Sequence, residues 1–166
     1  MSVHVRFSLP KFAAFLALLS VIGLLLAPSS PARAATGSPR SSADADDALR
    51  LRGERIVAAA RSQRGKPYRH GAQGPDAFDC SGLSGYAYRT VHVRLPRTAN
   101  QQFHAAHPVS RAAARPGDLV FWVHGRHAYH VAVYAGAGRI WHAPKPGDRV
   151  RLATIWNPRE VRYGRV

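Results

Sequence analysis

Ala77-Phe78-Asp79-Cys80-Ser81-Gly82-Leu83 is the stretch from which the rest of the chain is read, because it holds the single cysteine and the start of a helix. Asp79 is a favoured N-cap type, and Cys80, Leu83, Ala87 and Val91 recur at helical spacing, which predicts an amphipathic helix to about Thr90. The thiol then sits in the first turn. Unpaired backbone N–H groups and the positive dipole end favour a thiolate there. The competing reading is a buried structural cysteine, since a free thiol packs well as a small apolar group. Other parts of the chain have to decide between the two.

Upstream, Gly65 to Asp79 reads as a glycine- and proline-rich loop, and Ala48 to Arg64 as a first helix with Leu49, Ile56, Val57 and Ala60 on one face. Residues 35–47, with Thr, Ser, Gly, Pro and three aspartates, read as a short flexible linker. Before them, Arg6 and Lys11 precede an uncharged run from Phe12 to Leu26, then Pro28, Pro31 and the triplet Ala32-Arg33-Ala34. That layout is a secretory signal peptide over residues 1–34, cut after Ala34. A retained membrane anchor fits less well, because the run is shorter than the ~20 apolar residues that span a bilayer. The domain is therefore expected over residues 48–166, secreted and without a stable membrane anchor.

The whole chain carries 24 basic and 9 acidic residues, a net +15. Without residues 1–34 the balance is 21 to 9, a net +12. Such a charge suits a polyanionic partner: nucleic acid, anionic lipid or an acidic wall polymer. Export argues against intracellular nucleic acid, and no nucleic-acid motif, nucleotide loop or paired-cysteine metal site is present. One cysteine cannot form an internal disulfide, so the thiol is free, inter-chain or functional.

Downstream, a short helix is expected over Thr98 to Ala106, then strands over Asp118 to Val123, Tyr129 to Tyr134, Arg139 to Ala143 and Arg149 to Thr154. Helices followed by antiparallel strands define an α+β domain. A three-residue loop centred on Gly136 sets His130 directly opposite His142, on one face and about 4.5–5.5 Å apart at Cβ. One imidazole could then move a proton for a nucleophile while the other orients it. A zinc site is the rival: His124, His127 and His130 are spaced by three and Cys80 could be a fourth ligand, but a loop leading into a strand gives this spacing no firm geometry. Trp122, Trp141 and Trp156 read as core or cleft wall, and Pro144 to Asp148 as a turn at the cleft mouth.

Taken together, Pro67-Tyr68-Arg69-His70-Gly71, Phe78-Asp79-Cys80-Ser81-Gly82-Leu83, Leu95-Pro96-Arg97-Thr98, Arg115-Pro116-Gly117-Asp118-Leu119-Val120-Phe121, His130-Val131-Ala132-Val133-Tyr134 and Ile140-Trp141-His142-Ala143-Pro144 resemble, in order and spacing, the NlpC-type cell-wall cysteine peptidases. The resemblance covers residues 50–155. It implies a papain-like α+β fold with the nucleophile heading a helix packed on an antiparallel sheet. It implies hydrolysis of peptidoglycan stem peptides, commonly at the D-glutamyl-diaminopimelate bond, by a monomer that needs no cofactor or metal. By position, Cys80 is then the nucleophile, His130 the base and acid, His142 the orienting group, and Tyr68 the oxyanion tyrosine. Asp79 and Ser81 match substrate-contacting positions. Departures at His70-Gly71-Ala72, Ala99 and Ala132 bear on which stem peptide is preferred. Two alternatives stay open: an amidase cutting between stem peptide and sugar with the same thiol, and a non-catalytic basic wall-binding protein.

Overall fold

The structure, a computed structural model, describes residues 42–166, so the expected signal peptide and residues 35–41 of the expected linker lie outside the described residues. Three helices come first: α1 (Ser42–Ser62), α2 (Cys80–Arg89) and α3 (Ala99–Ala105). Six strands follow: β1 (His107–Val109), β2 (Leu119–His124), β3 (His127–Gly136), β4 (Arg139–His142), β5 (Arg151–Thr154) and β6 (Val161–Arg165). They form one antiparallel sheet in the order β1-β6-β2-β3-β4-β5. The α+β architecture with helices ahead of the sheet is the one the sequence pattern predicts.

Alternation along β2 and β3 sends side chains to two apolar layers. Leu119, Phe121, Val131 and Val133 join Ile56 and Ala60 of α1 and Leu83, Ala87 and Tyr88 of α2 in the main core. Val120, Trp122, Ala132, Ile140 and Val161 form a second cluster. The helices dock on the main core through close backbone approaches. A Cβ on Gly53 would fall 2.1 Å from the Pro116 carbonyl oxygen, so only glycine lets α1 meet the 116–117 turn. The Tyr88 hydroxyl donates to the Gly117 carbonyl of that turn at 2.8 Å, tying α2 to it as well.

The structure corrects the sequence reading in three places. First, α1 begins at Ser42, so Ser42–Asp47 are helical where linker was expected. These residues are exposed and carry no apolar face, which is why periodicity passes over them. Charge supplies the support instead: Arg50 bridges Asp47 and Glu54 at 2.7 and 2.6 Å, and Asp46 pairs with Arg115 at 2.9 Å.

Second, the β3–β4 register differs from the expected one. Tyr134 pairs with Ile140 and Gly136 with Arg139, around a two-residue turn at Ala137-Gly138 with a bulge at Ala135. Both turn residues have positive φ, 50° and 68°, as in a type I′ hairpin. Continued along β4, this register sets His142 opposite Ala132 of β3 and not His130, while on its other side His142 pairs with Arg151 of β5. The slip is by two residues, so both histidines keep a common face.

Third, β1 and β6 were not expected. The first is a three-residue strand containing Pro108, and the second, Val161-Arg162-Tyr163-Gly164-Arg165, is broken by charge and glycine.

Candidate active site

The head of α2 is built by Asp79. Its backbone is extended (φ −93°, ψ 179°), and its carboxylate accepts from the N–H of Gly82 at 2.6 Å and of Gly71 at 2.9 Å. Arg97 closes the other side: Nη2 donates to Asp79 Oδ2, and Nη1 to Asp79 Oδ1 at 3.2 Å and to Ser81 Oγ at 3.0 Å. The Ser81 hydroxyl in turn donates to Asp79 Oδ1 at 3.1 Å. Arg97 and the N–H donors hold the Asp79 carboxyl below the usual carboxylate range although burial acts the other way. Asp79 and Ser81 are buried and their oxygens are committed, while the Arg97 side chain is 35% exposed.

Cys80 follows as the first helical residue, half-buried, within electrostatic reach of the backbone N–H of Val131 on β3. Val131 is the residue next to His130 on that strand. Burial pushes the Cys80 thiol up, the N–H groups of Val131 and Ser81 act against this, and the Asp79 carboxylate adds to it. Tyr68 is half-buried on the incoming loop, within electrostatic reach of Cys80, Asp79 and Arg97; burial raises its phenol first, and the thiol and carboxylate add to this.

The histidines arrive from neighbouring strands. His130 Nε2 lies 3.1 Å from His142 Nδ1, the rings meeting edge to face at 5.3 Å between centroids. Both are buried. Burial lowers His130 to about 4; burial, His130 and Arg151 lower His142 to about 3 against a raising contribution from Asp148. Neutral thiol and neutral imidazoles are thus the resting forms near pH 7.

Trp122 packs edge-on to His130 at 5.4 Å, and Trp156 stacks on Trp122 at 4.0 Å with its ring 5.3 Å from His142. Trp156 is 38% exposed, so it shields the pair at the rim of a cleft of about 440 Å³ that His130, His142, Asp148 and Arg151 also line. His124 and His127, in contrast, are exposed and face each other at the β2–β3 hairpin tip, apart from the buried His130.

Two contributors escaped the sequence reading of roles. Gln102 is fully buried: its amide donates to the carbonyls of Ser81 at 3.0 Å and Pro96 at 2.9 Å and accepts from the Ser84 hydroxyl at 2.7 Å. It thereby locks α3, which starts in a Thr98–Gln101 capping box, to the first turn of α2. Arg97 was visible in its motif, but no spacing rule joins it to Asp79 across 18 residues.

A cysteine at the head of a helix, packed on an antiparallel sheet that carries paired imidazoles, defines a papain-like α+β domain. Residues 65–162 match the NlpC/P60 family, and the chain belongs to it. It is 44% identical over 99 residues to the murein DD-endopeptidase MepH of Escherichia coli K12, an alignment covering 56% of this chain and 36% of that protein. Among solved structures, the NlpC/p60 domain of the peptidoglycan hydrolase SagA superposes with a TM-score of 0.58 at 38% identity, over 61% of this chain and 88% of that one. RipD of Mycobacterium tuberculosis, described as a non-catalytic NlpC/p60 protein adapted to peptidoglycan binding, superposes at 0.59 with 28% identity, over 69% and 97%. The chain spans well under half the length of the curated relatives it matches, between 22% and 43% of them.

Proposed function

We propose that this chain is a secreted cysteine peptidase that hydrolyses amide bonds in peptidoglycan stem peptides, its domain spanning residues 42–166 from the start of α1, behind a signal peptide cut after Ala34. The observation that carries the reading is the buried contact of His130 Nε2 with His142 Nδ1, with the Cys80 thiol at the head of α2 within electrostatic reach of Val131, the next residue on β3.

With Nε2 engaged, Nδ1 is the nitrogen of His130 left to take a proton. In the reaction, His130 accepts the thiol proton as Cys80 attacks the scissile carbonyl. Because the buried thiol rests neutral, deprotonation accompanies attack instead of preceding it. The tetrahedral oxyanion is held by the Cys80 backbone N–H with the Tyr68 hydroxyl. His130 then passes its proton to the leaving amine, and water deprotonated by the same ring releases the acyl group. His142 orients His130. Asp79 and Ser81 act at the substrate through the Arg97 guanidinium they hold.

The preferred bond is D-glutamyl-diaminopimelate, the enzyme acting as a monomer on stem peptides while its net positive charge holds it to anionic wall polymer. Substituting Cys80→Ala abolishes release of soluble fragments from purified peptidoglycan while leaving the unfolding midpoint within about 1 °C. Mass spectrometry of the fragments from the wild-type digest names the bond. Hydrolysis by the variant near the wild-type rate sinks the assignment, and a wild-type protein that binds peptidoglycan without cutting it shows a binding role like that described for RipD.

A further inference from the structure

Two buried side-chain atoms among the described residues have no hydrogen-bond partner, His142 Nε2 and Asp148 Oδ2, and both residues line the cleft under Trp156. Buried polar atoms are rarely left unpaired, and a donor and an acceptor orphaned at one cleft point to a shared water.

The ring nitrogens give these orphans definite roles. For His130 Nδ1 to take a proton from the thiol it must begin without one, so the neutral ring carries its proton on Nε2. That N–H donates to His142 Nδ1 across the 3.1 Å contact, which makes Nδ1 of His142 an acceptor. A neutral His142 accepting at Nδ1 carries its own proton on Nε2, the buried orphan donor. What it lacks is an acceptor, and Asp148 Oδ2 is an acceptor that lacks a donor.

Asp148 is held where it can serve. Lys145-Pro146-Gly147-Asp148 is a β-turn closed by the Asp148 N–H donating to the Lys145 carbonyl at 3.0 Å, with Gly147 at φ 87° as a type II turn requires. The Asp148 carbonyl accepts from the Tyr68 N–H at 2.8 Å, and Oδ1 accepts from Arg151 Nη1 at 2.7 Å. Oδ2 is the atom these bonds leave over.

We infer that Asp148 is a positioning residue: through Oδ2 and one bridging water it accepts the His142 Nε2 proton and so fixes both imidazoles in the tautomer that leaves His130 Nδ1 free for the thiol. The relay runs Asp148, His142, His130, Cys80. It deepens the peptidase reading and rests on it for the catalytic consequence, but the tautomers themselves are independent of activity. The charged and titratable groups around His142 are His130 on β3, Arg151 on β5, and Asp148 and Lys145 on the turn, with Tyr129 of β3 lining the same cleft.

The test is long-range ¹H–¹⁵N NMR of the uniformly ¹⁵N-labelled protein, which reports which ring nitrogen of each histidine is protonated, in wild type, Asp148→Ala and Asp148→Asn at pH 7.5. Wild type shows Nε2–H at both rings. Asp148→Ala loses the single tautomer at His142, and its kcat on peptidoglycan falls on the order of tenfold or more with KM little changed. Asp148→Asn, which keeps an acceptor oxygen, restores most of both. A wild-type His142 protonated on Nδ1, or an Asp148→Ala protein with the wild-type tautomers, overturns the inference. The first of these needs no variant to fold. A wild-type protein with the expected tautomers and no hydrolysis would refute the peptidase reading alone.

Discussion

His130 and His142 are buried as a touching pair, and burial holds their pKa values near 4 and 3, well under the usual 6.5. Between those values and 6.5 the unfolded chain binds more protons than the folded one, so stability is full above pH 6.5 and declines as pH falls through that window. Asp79 adds a loss at lower pH, where its depressed carboxyl finally protonates. Thermal unfolding followed by circular dichroism is expected to show a Tm lower by roughly 5 °C or more at pH 4.5 than at pH 7. The decline is shallower in His142→Gln, which has one buried ring fewer to charge. An equal slope in both proteins would show that the pair is not what titrates. Cys80, Tyr68, Asp79, Ser81, His130 and His142 were each legible as candidates, because short motifs fix residue types at fixed spacing. Asp148 was not. Its meaning depends on an orphan nitrogen of a ring six residues away, and sequence records residue types without recording which lone pairs are left over.

At the scale of elements, the heads of α2 and α3 were readable to within a residue, while the head of α1 and the hairpin register were not. Asp79 announces α2 because N-capping is local chemistry between a side chain and N–H groups two or three residues on, and Thr98, expected as the first residue of α3, is its cap. The β3–β4 turn hides its register: it uses Ala137 at φ 50°, where Asn or Asp usually signals a type I′ turn, and it places a bulge beside it. The conclusion about the histidines survived because an even slip conserves the face, though the contact is diagonal instead of directly opposed. A second element-scale feature gives a test. A Cβ on Gly82 would lie 2.0 Å from the Ala72 carbonyl oxygen, the acceptor of the Asp79 N–H, so the loop bearing Gly71 crosses the first turn of α2 at a contact only glycine permits. Gly82→Ala is expected to cost about 1–3 kcal/mol in urea unfolding and to reduce activity more than its stability loss explains, since the displaced loop also carries Tyr68. Unchanged activity per folded molecule would remove that loop from the site.

For the molecule as a whole, the excess of basic residues has a visible focus. Arg61 and Arg64 at the end of α1, Arg139 on β4 and Arg151 on β5 surround one hollow of about 510 Å³. Cosedimentation with insoluble cell wall is expected to weaken as salt rises from about 0.05 to 0.5 M, and more steeply for wild type than for Arg61→Gln/Arg139→Gln. Salt-independent retention would argue that charge plays no part in holding the protein to the wall. The long-range organisation also has a temporal consequence. Residues 65–68 are laced to 148–150 by Gly65 N–H to Val150 carbonyl at 2.9 Å, Val150 N–H to Lys66 carbonyl at 2.8 Å, and Tyr68 N–H to Asp148 carbonyl at 2.8 Å. A chain growing from its amino end therefore presents its sulfur long before the partners of that lacing exist. The loop that leads into α2 is fastened only once residues 148–150 have emerged, well after Cys80 itself.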